Sequence, residues 1–227
     1  MTADAPLRVA SDAATAVALS GLAKSFPAAG GARRVLDGAD LTVRPGEIVA
    51  LAGRSGSGKT TVLSIIAGWE TPDAGTVAVL GGTTPPAQLS WSELAVLPQS
   101  LGMLDELTVA ENVGLPLRLA DVAGAADPHE VMERLGVGHL GDRYPREVSL
   151  GEQQRAALAR AAVVRPHVLL ADEPTMHQNR EWAASVMATL ADLAAGGSAC
   201  VLATHDAVAL AGAHRVLQLH EGRLRAR

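Results

Sequence analysis

The sequence predicts an α/β fold with a mainly parallel sheet. Short apolar runs at residues 47–52, 168–171 and 199–203 have the length of buried strands. A segment of helical length follows each run, and strands that alternate with helices are typical of a parallel sheet covered on both faces. A glycine-rich segment separates the first run from its helix, which is where such sheets bind phosphate groups.

Composition favours one large domain. The chain has 227 residues, of which 48% are hydrophobic and only 2% aromatic, so Ala, Val and Leu must fill the core. The formal net charge is −5 without a long basic run, which argues against nucleic acid as the main partner. The single cysteine, Cys200, lies in an apolar run, which predicts a buried residue and excludes a disulfide within the chain.

The ends of the domain and its location are predicted from hydropathy. No apolar stretch reaches the roughly 18 residues that span a bilayer, and residues 1–15 lack the features of a signal peptide. We expect residues 1–15 to form a flexible tail and residues 16–227 to form one domain. We also expect a cytoplasmic protein whose association with a membrane depends on a partner.

Each element follows from a local pattern. Strands are predicted at 16–23, 40–51 and 75–80, with a flexible turn at 27–32 and a sharp turn at 44–46. Residues 90–165 are predicted to be mostly helical, because capping and proline signals start helices at Thr108, Pro128 and Ser149. After residue 166 the alternation of strands and helices resumes. The predicted segments there are 168–171, 182–195, 199–203, 207–211 and 216–219.

Residues 53–60 fit the phosphate-binding pattern G-x-x-x-x-G-K-[ST] without a mismatch. Glycines allow successive backbone N–H groups to point at an anion, and the helix N-terminus adds partial positive charge. Lys59 would supply a full charge to the phosphates, and the Thr60 hydroxyl would bind Mg²⁺. The competing interpretation is a glycine-rich turn with a chance lysine. The predicted loop consists of Gly53, Arg54, Ser55, Gly56, Ser57, Gly58, Lys59, Thr60 and Thr61.

Two strand ends carry further candidates. Asp172 would hold Mg²⁺ through water, and Glu173 would act as base for the attacking water. His205 follows a strand that should lie beside the one bearing Asp172, so it would reach the γ-phosphate; the alternative is an ordinary capping residue. Ser149 caps a helix, or it belongs to a second anion site completed by another subunit.

With these residues in view, the chain resembles an ATP-binding cassette (ABC) ATPase from about residue 17 to its end. The resemblance depends on motifs in a fixed order, and it extends to the subgroup that serves lipoprotein release and macrolide export. It implies a P-loop NTPase core, an N-terminal antiparallel β subdomain and a helical subdomain inserted at about 90–165. The motifs are Phe26, the loop at 53–61, Gln99, the segment 149–155, the segment 168–173 and His205.

The resemblance also implies roles and partners. Phe26 would stack on the adenine of ATP, and Gln99 would couple Mg²⁺ and the attacking water to the helical subdomain. Ser149 and Gly151 would contact the γ-phosphate held by a second ATPase subunit in a head-to-tail dimer. Dimer closure on ATP would drive an integral-membrane permease that docks around residues 99–106, which places the chain at the inner face of the plasma membrane.

Two departures from the family pattern carry a hypothesis. Leu150 replaces a glycine of the Leu-Ser-Gly-Gly signature, whose leucine is Val148 here, and residues 176–179 read Met-His-Gln-Asn instead of Gly-Asn-Leu-Asp or Ser-Ala-Leu-Asp. Asn179 thereby lacks a carboxylate that helps communication across the dimer. Binding of nucleotide should be intact, while hydrolysis would be weakened or would depend on a different partner ATPase.

Three functions remain open from the sequence. The first is the ATPase subunit of a transporter, and the second is a nucleotide-gated regulatory subunit with weak or partner-dependent hydrolysis. The third is an ABC protein of DNA repair or translation, which the length of the chain disfavours. Substrate, direction of transport and the choice between homodimer and heterodimer do not follow from these residues.

Overall fold

The structure is a computed structural model that describes residues 15–28, 31–119 and 124–227. Residues 1–14, which hold almost all of the predicted tail, and residues 29–30 of the predicted turn lie outside the described residues. The rest of the turn predicted at 27–32 is not flexible, because residues 27–28 pair with residues 31–32 as strands. The elements in chain order are β1 (Val17–Ala28), β2 (Gly31–Val43), β3 (Ile48–Ala52), α1 (Lys59–Ile66), β4 (Ala74–Val79), β5 (Leu94–Leu97), α2 (Val109–Leu119), α3 (Pro128–Arg134), α4 (Leu150–Ala162), β6 (Val168–Asp172), α5 (Arg180–Ala195), β7 (Ala199–Ala203), α6 (Ala207–Ala211), β8 (Arg215–His220) and β9 (Arg223–Ala226).

The N-terminal strands form a separate three-stranded antiparallel sheet in the order β2-β1-β4. This confirms the predicted antiparallel β subdomain. The β1–β2 ribbon is longer than predicted. Its outer part pairs through the backbone, while its side chains are half-buried or exposed. Hydrophobic alternation does not reveal strands of that kind.

The second sheet has six strands in the order β5-β6-β7-β3-β8-β9. Its first five strands are parallel, and β9 pairs antiparallel with β8 at one edge. Every residue of β3, β6 and β7 is buried, which explains why these strands read as continuous apolar runs. The sheet confirms the predicted α/β class.

Alternate residues of the central strands face two different cores. Ile48 and Ala50 pack with the helices α2 to α5, whereas Val49 and Leu51 pack with α1 and the N-terminal sheet. Cys200 is fully buried in the first core, as predicted, and burial raises the pKa of its thiol to about 12. The parallel sheet is therefore sandwiched between the helical subdomain side and the β subdomain.

The predicted start of the helical subdomain at about residue 90 was wrong. Leu94–Leu97 forms β5, which pairs with β6 and belongs to the parallel sheet. Four apolar residues do not distinguish a strand from a helix, and only pairing with the buried β6 decides the outcome. Strand β9 was likewise not predicted. Within residues 15–28, 31–119 and 124–227, no helix has the length and hydropathy needed to cross a membrane.

Candidate nucleotide-binding site

The candidate site lies at the carboxyl edge of the parallel sheet. A cavity of about 530 Å³ is bounded by the loop after β3, by the ends of β6 and β7 and by the β1–β2 ribbon. Ligands of open α/β sheets bind at this edge, because the loops that leave the strands converge there. The structure thus brings together residues that are up to 179 positions apart, from Phe26 to His205.

The loop at 53–58 leaves the start of α1 open to an anion. Gly58 is the N-cap of α1, has φ +105°, and no side chain caps the helix there. A Cβ at Gly58 would lie 2.6 Å from Val35 Cγ1, so only glycine fits both the backbone and the space. The first N–H groups of α1 therefore point toward the cavity without a side-chain acceptor, which suits phosphate oxygens.

Lys59 is almost fully buried beneath this loop. Its Nζ donates to the carbonyl oxygens of Gly53 at 3.0 Å and of Arg54 at 3.4 Å. The ammonium is thus held beside the turn where the predicted phosphates would lie. A phosphate would give it a charged acceptor in addition to these neutral ones.

A cation site would form between α1 and β6. Thr60 Oγ1 donates to Asp172 Oδ2 at 2.6 Å, and Gln99 lines the same cavity from the end of β5. Burial raises the pKa of Asp172, because the carboxylate is removed from water. A hydroxyl, a carboxylate and an amide oxygen are hard donors that fit Mg²⁺, and a cation would offset the cost of burying the charge.

Glu173 stands next to Asp172 in an unusual conformation. Its φ is +49°, a left-handed value that is uncommon for residues other than glycine. Its N–H donates to Ala203 O at 2.7 Å, and its carboxylate accepts from Thr204 Oγ1 at 3.0 Å. His205 Nδ1 lies 2.8 Å from Glu173 Oε1. The predicted pairing of β6 with β7 is confirmed. This pairing brings Glu173, Thr204 and His205 together.

Phe26 reaches the cavity from β1 and is half-buried. The Lys24 ammonium lies 5.2 Å from its ring centroid. The opposite residue on β2, Arg33, lines the cavity too and donates through Nη2 to Gly56 O at 3.1 Å. Sequence reasoning missed Arg33, because its position depends on the register of the hairpin and no local motif marks it.

Ser149 and Gly151 do not line this cavity. Ser149 is the N-cap of α4, where it forms a reciprocal capping box with Glu152, and Gly151 packs on the turn that follows β6. Leu150 between them is half exposed. Asn179, the other departure from the family pattern, caps α5 by accepting from the Trp182 N–H at 2.9 Å.

Comparisons with known proteins identify the family of the chain. The protein family described as "ABC transporter" matches residues 36–176. A lipoprotein-releasing system ATP-binding protein LolD of Xanthomonas oryzae pv. oryzae is 36% identical over 98% of this chain and 95% of its own length. The macrolide export ATP-binding/permease protein MacB 1 of Aeromonas hydrophila subsp. hydrophila is 37% identical over 90% of this chain and 33% of its own length.

A solved structure shows the same fold. The ATP-binding cassette MJ0796, described as a dimer in a post-hydrolysis state bound to ADP and Pi, has a TM-score of 0.80 and 28% identity, covering 92% of this chain and 96% of that one. The phosphate loop on a parallel sheet defines the class of P-loop nucleoside triphosphatases. Within that class, the chain belongs to the ABC transporter family and is an ATP-hydrolysing cassette. The resemblance inferred from the motifs is thereby confirmed.

Proposed function

We propose that this chain binds ATP with Mg²⁺ in the cavity at the sheet edge and uses hydrolysis to drive a separate membrane permease. The observation that carries the proposal is the convergence of two polar pairs on one cavity. Thr60 is bonded to Asp172 and Glu173 to His205, and both pairs border the phosphate loop. The names of the relatives, a lipoprotein-releasing system subunit and a macrolide exporter, support a transport role.

The residues divide the chemistry among them. Phe26 stacks on adenine, and the loop amides with Lys59 hold the phosphates. Thr60, Asp172 and Gln99 would hold Mg²⁺, which would neutralise charge that develops on the phosphates. Glu173 accepts a proton from the attacking water, and His205 and Thr204 orient its carboxylate through the bonds already described.

The second ATPase subunit enters through the face that carries Ser149 and Gly151. Both residues lie outside the cavity of their own chain, and Ser149 is exposed while Gly151 is half-buried, so nucleotide held by another subunit could approach them. The dimeric structure of the MJ0796 cassette supports such an arrangement. Closure of the dimer on ATP and opening after hydrolysis would supply the mechanical step.

A permease would dock beside Gln99. A groove of about 470 Å³ runs between α1 and the segment after β5, and Trp69, which is 60% exposed, lines it. Exposed aromatic residues next to a groove are typical anchors of protein interfaces. Docking at this groove would hold the chain at the inner face of the plasma membrane through its partner.

A regulatory subunit with partner-dependent hydrolysis is the second candidate. Leu150 and Asn179 favour it, because both lie on the face where a second subunit would contact nucleotide. Phosphate release by the purified chain, with Mg²⁺ or with EDTA, separates the two. Turnover that needs Mg²⁺ supports the motor; binding of ATP without turnover supports the regulatory subunit.

Coupling to the permease is tested separately. The tagged chain is purified from detergent-solubilised membranes, and associated multi-span proteins are identified by mass spectrometry. Trp69→Asp should abolish that association and leave basal hydrolysis unchanged, whereas Trp91→Asp, which alters a tryptophan outside the groove, should retain it. Retention by the Trp69 variant would contradict docking at this groove.

A further inference from the structure

The turn between β6 and α5 contains a glutamine that the nucleotide site does not use. Gln178 stands where the family pattern has leucine, which forms no side-chain hydrogen bond. Its half-buried amide contacts three residues of α4: Gly151, Gln154 and Arg155. Two of these, Gln154 and Arg155, are almost fully buried. Buried polar groups are normally hydrogen-bonded, and the Gln178 amide meets this requirement through α4 alone.

The orientation of the amide is fixed by its neighbours. Arg155 Nη1 lies 2.7 Å from Gln178 Oε1, and a guanidinium can only donate, so the amide oxygen must face it. The amide nitrogen then donates to Gly151 O at 2.9 Å and to Gln154 Oε1 at 3.2 Å. Because the Gln154 oxygen accepts this bond, the nitrogen of Gln154 lies on the opposite side of its amide group.

That nitrogen bonds the turn that carries the proposed base. Gln154 Nε2 donates to Glu173 O at 2.6 Å. The hydrogen bonds therefore run in one direction, from Arg155 through Gln178 and Gln154 to the backbone of Glu173. We call this series the glutamine relay.

Both ends of the relay are anchored. Arg155 Nε donates to Leu135 O at 2.8 Å, and its guanidinium stacks 4.3 Å from the Trp182 ring centroid. At the other end, the left-handed backbone of Glu173 is unfavourable for a residue with a Cβ and persists only when external contacts hold it. Its N–H is held by Ala203, and its carbonyl is held by the relay.

The start of α4 touches the same turn directly. A Cβ added to Gly151 would lie 2.9 Å from His177 O, so the two backbones are in close contact there. A displacement of the segment 149–151 would consequently move Gln178, which bonds the Gly151 carbonyl. The relay would pass that displacement to Glu173.

We propose that Gln178 is a positioning residue, which couples the start of α4 to the orientation of Glu173. The proposal rests on the proposed role of Glu173 as the base. Contact with a second subunit at Ser149 and Gly151 would then adjust the base through hydrogen bonds within one chain. A leucine at this position has no means of doing so.

Gln178→Glu tests the relay with little change in shape. It keeps the oxygen that faces Arg155 and loses the donor to Gly151 and Gln154. Gln88→Glu is the matched control, because Gln88 is exposed and far along the chain from the relay. Gln178→Leu, which restores the family residue, is the second variant and removes the amide altogether.

Amide hydrogen exchange gives a readout that is independent of turnover. Exchange in peptides covering 149–155 and 173–179 should become about fivefold faster in both Gln178 variants, because the relay no longer opposes local opening of these segments. Peptides covering 59–66 and the Gln88 variant should match the wild type. In steady state, kcat should fall about fivefold with KM for ATP unchanged, since positioning and not binding is lost.

Two results would overturn the proposal. One is unchanged exchange in 149–155 and 173–179 in both Gln178 variants. The other is faster exchange throughout the chain, which would mean a general packing role. If the wild type and Glu173→Gln release phosphate equally slowly, the assignment of Glu173 as base fails, and the exchange data alone still decide whether the relay couples the two segments.

Discussion

The two sides of the site are built in different ways. On the side of the phosphate loop, residues 53–60 match their pattern throughout, and the glycines, Lys59 and the open start of α1 come from one continuous segment. On the other side, the segments 149–151 and 176–179 depart from the family pattern and meet only through contacts between α4 and the β6–α5 turn. The phosphate-binding part of the site is therefore encoded within one segment, whereas the proposed coupling to a second subunit depends on long-range packing.

We expect the largest effect when the proposed base, which lies where the two sides of the site meet, is removed. Glu173→Gln should lower kcat by about 1,000-fold, because an amide does not accept the proton from water, while ATP is still bound. Phosphate release and equilibrium binding of ATP, measured on the same preparation, check this. Glu181→Gln, an exposed glutamate in the first turn of α5, is the control and should keep full activity. Loss of binding in the Glu173 variant would contradict the division between the two sides.

A substitution on the side of the phosphate loop should lower the affinity for ATP. Lys59→Ala should weaken ATP binding about 100-fold, since the loss of a buried, charge-assisted contact to phosphate is worth about 1.5–3 kcal/mol. Titration calorimetry measures it. The chain has one other lysine, Lys24, which pairs with Glu70 and touches the Phe26 ring instead of the phosphate loop. Lys24→Ala should therefore stay within about threefold of the wild type. Equal losses in both variants would argue against a specific phosphate contact.

Substitutions on the opposite side of the site should change the rate of ATP turnover and leave ATP binding unchanged. Leu150→Gly restores the family residue at a half-exposed position and should raise kcat by about threefold to tenfold without a change in ATP affinity, because it opens the backbone to a second subunit. Asn179→Asp in the same chain should add to this effect and keep the cap of α5, since Asp caps helices as well as Asn. Rates that are unchanged in both variants would mean that the departures do not limit hydrolysis.

The smallest effect concerns stability at the start of α4. Hydrogen bonds from Ser149 hold the pKa of Glu152 below its usual value, so the capping box adds stability above the ordinary glutamate pKa, and this stability is lost as pH falls through the lowered pKa. Glu152→Ala should lower the free energy of unfolding by about 0.5–1 kcal/mol at pH 7 and by less in acid. Urea unfolding at the two pH values measures this. Glu106→Ala, at an exposed position outside a capping box, should show no such pH dependence. An equal loss at both pH values would show that the carboxylate is not what stabilises the cap.

Sequence alone determined the elements whose residues satisfy their own local requirements. Strands β3, β6 and β7 were predictable because they are buried on both faces and therefore apolar throughout. The phosphate loop was predictable because its glycines meet the requirements of the backbone turn and its lysine supplies the charge, all within eight residues. The candidates Asp172, Glu173 and His205 followed from strand ends, since parallel strands bring their carboxyl ends to one edge.

Only the tertiary structure decided the rest. Leu94–Leu97 becomes a strand because β6 offers a partner, and Arg33 reaches Gly56 because of the register between β1 and β2. The relay through Gln178 joins residues whose polar groups lie up to 27 positions apart, and no local pattern marks a hydrogen bond between them. Pairing and polar contacts of this kind depend on which surfaces the folded chain brings together, and a single sequence read residue by residue does not contain that distance information.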